Sequence, residues 1–427
     1  MKPHMRRGLP GLTRWLPLNA AASGLVRPGM VAAFLLCAGL GLMVACSDNG
    51  PTTPEPPDPE LVTQGKEIFR FDTFGDETFW TDTLRIHEVI TSAVDPTTAL
   101  GVGLKVDAAA LPAAVVQGIQ DGTISLTDPA TTVALLKLDA VVGLKGTVET
   151  VDGRDTLTRV GTTCALCHAT VDNSFAAGIG SRLDGWPNLD LNPGAIIALS
   201  PALTPDQKAV YNSWGKGKYD ARFNFDGQNG PQVIPPAYGL LGLNSITVTG
   251  DGSDVAYWNR YVGVTQMHGH GSFSEPRTGV NVNNPPDLVS SKLAALQAYQ
   301  LSLAAPPPPQ GSFDAVAAAR GRQVFTGAAQ CATCHTGPLL TDGNTRLHPP
   351  ADVVSEPEPN GAPSAASRSA TKMYRTAPLH GLWQHPPYFH NGIAATLEAV
   401  VELYDSRKGL SLTVEQKADL VQYLKSL

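Results

Sequence analysis

The hydrophobic pattern of this chain changes character along its length. From Met30 to Ala45 it is a continuous apolar run, MVAAFLLCAGLGLMVA, preceded by a basic region without acids and followed by the polar SDNGPTTPEPPDPE. A run that short, rich in small residues near its end, predicts a cleavable export signal rather than a membrane span. Further on the apolar residues become periodic. GKEIFRFDTFGDETFWTDTLRIHEVI predicts an opening helix and a turn, DPATTVALLKLDAVVGL a further helix, and ALQAYQLSLAAPPPPQGSFD a helix ending in a proline-rich break. AAARGRQVFTGAAQCATCH predicts a helix running into a loop. In the closing LTVEQKADLVQYLKSL, Thr413 caps with Gln416, and Leu420, Val421, Leu424 and Leu427 form one apolar stripe. Segments such as LDGWPNLDLNPGAI and SWGKGKYDARFNFDGQNGPQVIPPAYGL predict long loops, and long loops in compact domains usually carry function.

Composition narrows this picture. The 427 residues suffice for two or three domains, and 42 Gly with 35 Pro fit modest helices joined by irregular chain. The end of the apolar run, LMVAC, resembles a bacterial lipobox, which makes Cys46 the lipidated first residue of the mature chain; an ordinary signal with a chance cysteine is the alternative. Residues 1–45 are then a lipoprotein signal and 46–60 a proline-rich tether. The expected location is the periplasm, on a membrane through the lipid anchor, with the outer membrane favoured. Without the five cations of the leader the charge balance is 26 basic to 38 acidic, or −12, which argues against a nucleic-acid partner.

The cysteines say most about chemistry. Besides Cys37 and Cys46 there are four, and all lie in two copies of one pattern: Cys164, Cys167 and His168 in TTCALCHAT, and Cys331, Cys334 and His335 in QCATCHTG. Cys-x-x-Cys-His is the attachment sequence of c-type haem. Two thiols add across the porphyrin vinyl groups, and the following imidazole binds the iron. A four-cysteine zinc site or a redox Cys-x-x-Cys would not require the histidine twice. The expected cofactors are two covalently bound haem c groups with His168 and His335 as proximal ligands. After the leader only Met267 and Met373 remain as methionines, so they are the candidate sixth ligands; as core fillers they would have no such role. The expected fold is mainly α: two cytochrome c-like haem domains with long irregular loops, residues 61–300 forming an enlarged first domain and 301–427 the second.

MYRTAPLHGLWQHPPYFHNGIAATLEAVVELYD, together with GRQVFTGAAQCATCH, resembles the bacterial di-haem cytochrome c peroxidase superfamily, related maturation enzymes included. The resemblance covers residues 290–427 and places Met373, His348 and His390 on family positions; His380-Gly381 departs from it. It implies a peroxidase-like oxidoreductase in which electrons enter at the C-terminal haem, with His335 and Met373, and hydrogen peroxide or another small oxidant reacts at the N-terminal haem. It implies a small soluble donor such as a cytochrome c or cupredoxin, and calcium as a further possible cofactor. The family's usual first-half elements are not visible. In VTQMHGHGSFSEP the nearby residues are Met267, His268, His270 and Glu275, and the proton-transfer role is assigned to His270 or Glu275. Trp258 is either an electron relay between the haems or a core residue. The competing functions are a membrane-tethered electron carrier and an oxygenase or maturation enzyme acting on a bulky substrate.

Overall fold

Helix α1 spans Pro59–Phe71, starting where Asp58 accepts a hydrogen bond from the Glu60 N–H and Pro59 presets the first turn. The computed structural model describes residues 54–223 and 226–427, so the export signal and Cys46 lie outside the described residues. A wide helical turn, Thr78–Thr83, and α2, Ile86–Ala93, complete the predicted opening. DPATTVALLK forms α3, Pro129–Lys137, with Asp128 as its cap.

Helical periodicity gives no hint of the hairpin that follows. Strands β1, Leu144–Val151, and β2, Arg154–Thr162, pair antiparallel around Asp152-Gly153, both with positive φ (51° and 76°). That turn needs left-handed backbone at both positions, which an Asp-Gly pair supplies. The hairpin delivers the chain to Cys164. A single helical turn, α4, Ala165–His168, carries the rest of the first motif, and β3, Ala169–Val171, pairs with β4, Arg182–Asp184. Two more hairpins follow: β5, Lys218–Asp220, with β6, Pro231–Val233, and, beyond α5, Val255–Tyr261, β7, Gly271–Glu275, with β8, Val280–Asn284. Helix α6, Leu293–Ser302, precedes the proline break. The C-terminal part contains α7, Ala315–Thr326, α8, Leu397–Lys408, and α9, Val414–Lys425. Every sheet among the described residues has two strands, so the chain is mainly α with long irregular connections.

One joint is built twice. Where α1 crosses α6, a Cβ on Gly65 would lie 1.9 Å from the Ala295 carbonyl oxygen and 2.7 Å from the Tyr299 Cβ. Where α7 crosses α9, a Cβ on Gly321 would lie 2.0 Å from the Asp419 carbonyl oxygen and 2.9 Å from the Tyr423 Cβ. Four residues on, Phe69 meets Tyr299 edge-on at 5.4 Å, and Phe325 meets Tyr423 at 5.1 Å. The shared pattern is GKEIF in α1 and GRQVF in α7. Helices can approach this closely only where one of them lacks a side chain, and overfilling such a contact costs about 1–3 kcal/mol.

Each joint lies in the core beside one cysteine motif. Phe69, Leu296 and Tyr299 are buried with Ala165 and Ala169 against Cys164, while Phe325, Leu420, Val421 and Leu424 are buried against Cys331. The two units differ in what separates helix from motif. Cys331 follows α7 after a short turn, whereas residues 72–163, with α2, α3 and the first hairpin, are inserted between α1 and Cys164. The expected capping box at α9 forms, Thr413 Oγ1 accepting from Gln416 N at 3.2 Å. Among the described residues no helix is long and apolar enough to cross a membrane.

Candidate functional site

The approach to the first motif is fastened before the cysteines are reached. Thr163 Oγ1 donates to the Arg70 carbonyl at 3.1 Å, and Thr162 donates to the fully buried Asp76 from its N–H (3.1 Å) and its hydroxyl (2.6 Å). Burial pushes the Asp76 pKa well above the usual carboxylate range, against the pull of the Thr162 bonds.

His168 follows, with Nδ1 at 3.1 Å from the Pro235 carbonyl oxygen. A carbonyl can only accept, so Nδ1 carries the hydrogen and the Nε2 lone pair is left for a metal. Burial lowers the His168 pKa to about 4, keeping the ring in the neutral form that ligates. Burial, with some help from Asp72, pushes Cys164 up to about 12, and burial alone does the same to Cys167. Such thiols are poor thiolates, and the site suits an uncharged thioether better than a reactive or zinc-binding sulfur. The second motif repeats the arrangement: His335 Nδ1 is 3.0 Å from the Leu340 carbonyl oxygen, burial lowers its pKa, and burial pushes Cys331 up to about 11. All four cysteines are free of disulfides.

Cys164, Cys167 and His168 open on a cavity of about 340 Å³, within the general range for ligand pockets, roughly 300–1,000 Å³. Met267 and Trp258 line it, and so do His385 and His390 from the C-terminal segment. The structure therefore brings Met267 to the first motif; it is buried, and its carbonyl accepts from Trp80 Nε1 at 3.2 Å. Trp258 stacks on Tyr261 at 4.7 Å. A further aromatic contact, Trp186 edge-on to Trp383 at 5.6 Å, joins the chain just after the first motif to the C-terminal segment. These walls and the orientation of the His168 ring fit a flat, largely apolar metal-porphyrin.

The two residues expected to move protons, His270 and Glu275, do not line this cavity. His270 is held by the Pro285 carbonyl (3.1 Å) and Thr78 Oγ1 (3.3 Å) at the foot of β7. Glu275, at the other end of that strand, is clamped by Arg277 at 2.8 and 2.6 Å and approached by Tyr257 at 3.3 Å. His268 stacks on Phe79 at 3.6 Å, away from the cavity lining.

The hydrogen bonds of Arg277 hold Glu275 at about pKa 2, so its contribution to stability is complete above pH 4.5 and is lost as pH falls toward 2. We expect Glu275→Gln to lower the melting temperature at neutral pH and to flatten its acid dependence between those limits. In the same assays His270→Ala and Glu275→Gln should both retain any turnover within about twofold, as substitutions remote from a site do.

Around the second motif, the backbone of Tyr374 pairs with that of His348 through two hydrogen bonds of 2.7 Å, and Met373 lies one residue from this bridge, half-buried and outside the cavity lining. His348 Nε2 is 3.1 Å from Asp342, and Cys334, Asp342 and His348 present ligand atoms within 4.8 Å of one another. Glu356, Glu358 and His390 form a similar group. There Glu358 bonds His390 (2.6 Å) and Asn391 (2.9 Å), and Glu356 bonds Tyr374 and Ser364, so the group is satisfied within itself. Nothing in it points to calcium.

Three arginines line the cavity, Arg222, Arg368 and Arg375, and no sequence motif marks them as site residues. Arg368 is nearly fully buried and forks onto Asp220 (2.9 and 3.0 Å) and Asp226 (2.7 and 2.8 Å), tying the β5–β6 hairpin to the segment before Met373. Arg375 is half-buried, its Nη1 sealed from solvent, with no carboxylate partner among the described residues, and desolvation lowers its pKa to about 10. Its place in RTAPLHG was visible in the sequence; its lack of a counter-ion was not.

Residues 318–427 match the cytochrome c family. The cytochrome-c peroxidase IdrP2 of Denitromonas iodatirespirans is 30% identical over 140 residues, covering 25% of this chain and 38% of that protein. IdrP2 of Pseudomonas sp. is 31% identical over 145 residues, 26% of this chain and 39% of its own. The methylamine utilization protein MauG of Methylorubrum extorquens is 32% identical over 125 residues, 26% of this chain and 34% of its own. The matches thus span well under half the length of these relatives. A solved MauG-like protein associated with microbial copper homeostasis overlays 48% of this chain and 75% of its own at 20% identity, with a TM-score of 0.32, too loose an overlay to carry an argument. The C-terminal quarter of the chain is therefore a cytochrome c domain by its family match, and the chain is similar over about a quarter of its length to cytochrome-c peroxidases and to MauG.

Proposed function

We propose that this chain is an exported di-haem c-type cytochrome that reduces hydrogen peroxide, a peroxidase-like oxidoreductase. The observation that carries the two-haem part is the repeated joint: the glycine-dependent helix crossing, its Phe–Tyr pair, and a histidine held at Nδ1 by a backbone carbonyl occur at both motifs. Haem c supplies a redox-active iron at each. Cys164 with Cys167, and Cys331 with Cys334, would take the vinyl carbons, and Nε2 of His168 and of His335 the iron.

The chain's own residues divide the work. Reducing one peroxide to two waters takes two electrons and two protons. The electrons would come from a small soluble donor, a cytochrome c or cupredoxin, through the C-terminal unit, where His335 and Met373 would hold the haem and a thioether ligand would raise its potential. Peroxide would be reduced at the haem that Cys164, Cys167 and His168 would hold, with Met267 on the wall of the same cavity. Among the histidines of the cavity lining, His380 is held by the Pro338 carbonyl at 2.8 Å and His390 by Glu358 at 2.6 Å. His385 is half-buried, and burial lowers its pKa to about 4, so its ring is neutral at pH 7 and would carry a proton only transiently, as one passes between the two peroxide oxygens. It takes over the role first given to His270 and Glu275. Lipidated Cys46 would tether the protein in the periplasm.

The test is steady-state consumption of hydrogen peroxide with a reduced cytochrome c or cupredoxin. Turnover supports the reading, whereas electron exchange without peroxide consumption makes the protein a carrier. A second reading, oxidation of a bulky substrate, takes support from the match to MauG, which is no weaker in identity than those to the peroxidases.

Met373→His should keep the C-terminal haem low-spin while weakening its reduction equilibrium by about tenfold or more, 59 mV per tenfold for one electron. Spectroelectrochemistry reads it. If both midpoints stay in place, Met373 is a core residue and the sixth ligand is sought among His348, His385 and His390.

A further inference from the structure

Arg375 is used neither by the fold's ion pairs nor by the proposed reaction. Its Nε donates to the Thr247 carbonyl at 2.9 Å and Nη2 to the Ile246 carbonyl at 3.0 Å. The third arm, Nη1, is buried and has no partner. Other largely buried arginine side chains here lie beside carboxylates: Arg368 has Asp220 and Asp226, Arg222 has Asp251, and Arg182 has Asp107 at 3.2 Å, although Arg182 Nη1 also lacks a hydrogen-bond partner. An unpaired buried donor on a permanent cation is costly, and a fold that keeps one holds it for something absent from the polypeptide.

The slot around this side chain is built. A Cβ on Gly343, in the loop after the second motif, would lie 2.5 Å from Arg375 Cγ, so only a glycine there lets the side chain pass. The two carbonyls fix the guanidinium plane and leave one edge unpaired. Arg375 lines the cavity that Cys164, Cys167 and His168 share, and Cys331, Cys334 and His335 do not line it. A guanidinium edge is matched by a carboxylate, and the carboxylates of haem c are its two propionates.

We infer that Arg375, through Nη1, binds a propionate of the haem attached at Cys164 and Cys167. This rests on the two-haem reading above. Arg375 is a positioning residue: it anchors one edge of the porphyrin inside the cavity and offsets the propionate's negative charge near the iron. A cation at that edge disfavours the extra positive charge of ferric iron and so favours reduction.

The experiment uses the full-length holoprotein. Haem per chain is counted by pyridine haemochrome, and both midpoints are measured in wild type, Arg375→Gln and Arg375→Lys. The Cys164→Ala/Cys167→Ala variant identifies which midpoint belongs to the second motif. Arg375→Gln should weaken the first haem's reduction equilibrium by about tenfold, 59 mV for a one-electron couple, with the second haem within about twofold of wild type. Arg375→Lys should recover most of the loss.

Two haems with an unmoved first midpoint overturn this assignment alone, and a shift confined to the second midpoint gives the propionate to the other motif and overturns it too. A wild type with one haem overturns the two-haem reading and this inference together. If Arg375→Gln fails to load haem, the propionate bending band of Arg375→Lys in resonance Raman decides: a displaced band supports the contact, and a band identical to wild type overturns it.

Discussion

Replacing Cys164 and Cys167 together by alanine will lower the haem content from two to one per chain and take peroxide reduction to background. The reasoning starts from the cavity. Its wall carries both cysteines and His168, with the ring turned by the Pro235 carbonyl so that Nε2 is unprotonated. Without thioether bonds a porphyrin there is held by one imidazole and by packing, and passage through export and purification will remove it. The other unit keeps its own joint and its own motif, so the remaining haem stays reducible by the donor. Pyridine haemochrome gives the count, and peroxide consumption gives the function. Unchanged haem content contradicts the attachment assignment. Halved content with full turnover moves the reactive site to the second motif.

Arg368→Met is expected to be the most destabilising single substitution on the cavity wall. Its guanidinium is nearly sealed from solvent and forks onto two carboxylates, of which Asp220 is fully buried. Removing the cation leaves the fully buried Asp220 carboxylate without the Arg368 charge, and breaking a buried pair in this way costs about 3–5 kcal/mol. In a protein of this size each kcal/mol lowers the melting temperature by roughly 1–2 °C.

The sign of the pH dependence follows. Burial works to raise the Asp226 pKa, but the bonds from Arg368 prevail and hold it below the ordinary aspartate value. Its stabilisation is therefore present at neutral pH and is lost as pH falls through the depressed folded value. Arg368→Met should remove that acid-side loss, and Arg368→Met combined with Asp220→Asn and Asp226→Asn should recover most of the stability. Calorimetry across pH 3 to 8, in about one-unit steps, reads all of this. An Arg368→Met protein as stable as wild type at pH 7 would mean that the carboxylates find other partners.

What could be read in advance divides by the range of the forces involved. The attachment motifs are covalent chemistry at fixed spacing, so Cys164, Cys167, His168, Cys331, Cys334 and His335 are legible one by one. The closing helix is legible because its cap and apolar stripe are local. The β1–β2 hairpin is a local signal too, an Asp-Gly pair between alternating residues, but it was overlooked beside a helical period. Gly65 and Gly321 become meaningful only when GKEIF and GRQVF are set side by side and their crossing partners, Ala295 and Asp419, are known. The placement of His270 and Glu275 depends on tertiary partners, since the Pro285 carbonyl and Thr78 hold the first and Arg277 clamps the second. So does the unpaired edge of Arg375, since the lack of a counter-ion is a property of the whole fold.

The most direct measurement is an optical and EPR spectrum of the half-reduced wild-type holoprotein, taken before and after addition of one equivalent of hydrogen peroxide. Two haems per chain are predicted, one reduced low-spin haem in the C-terminal unit and one exchangeable haem at His168 whose spectrum changes as peroxide is consumed. Two locked low-spin haems, indifferent to peroxide, would contradict the account.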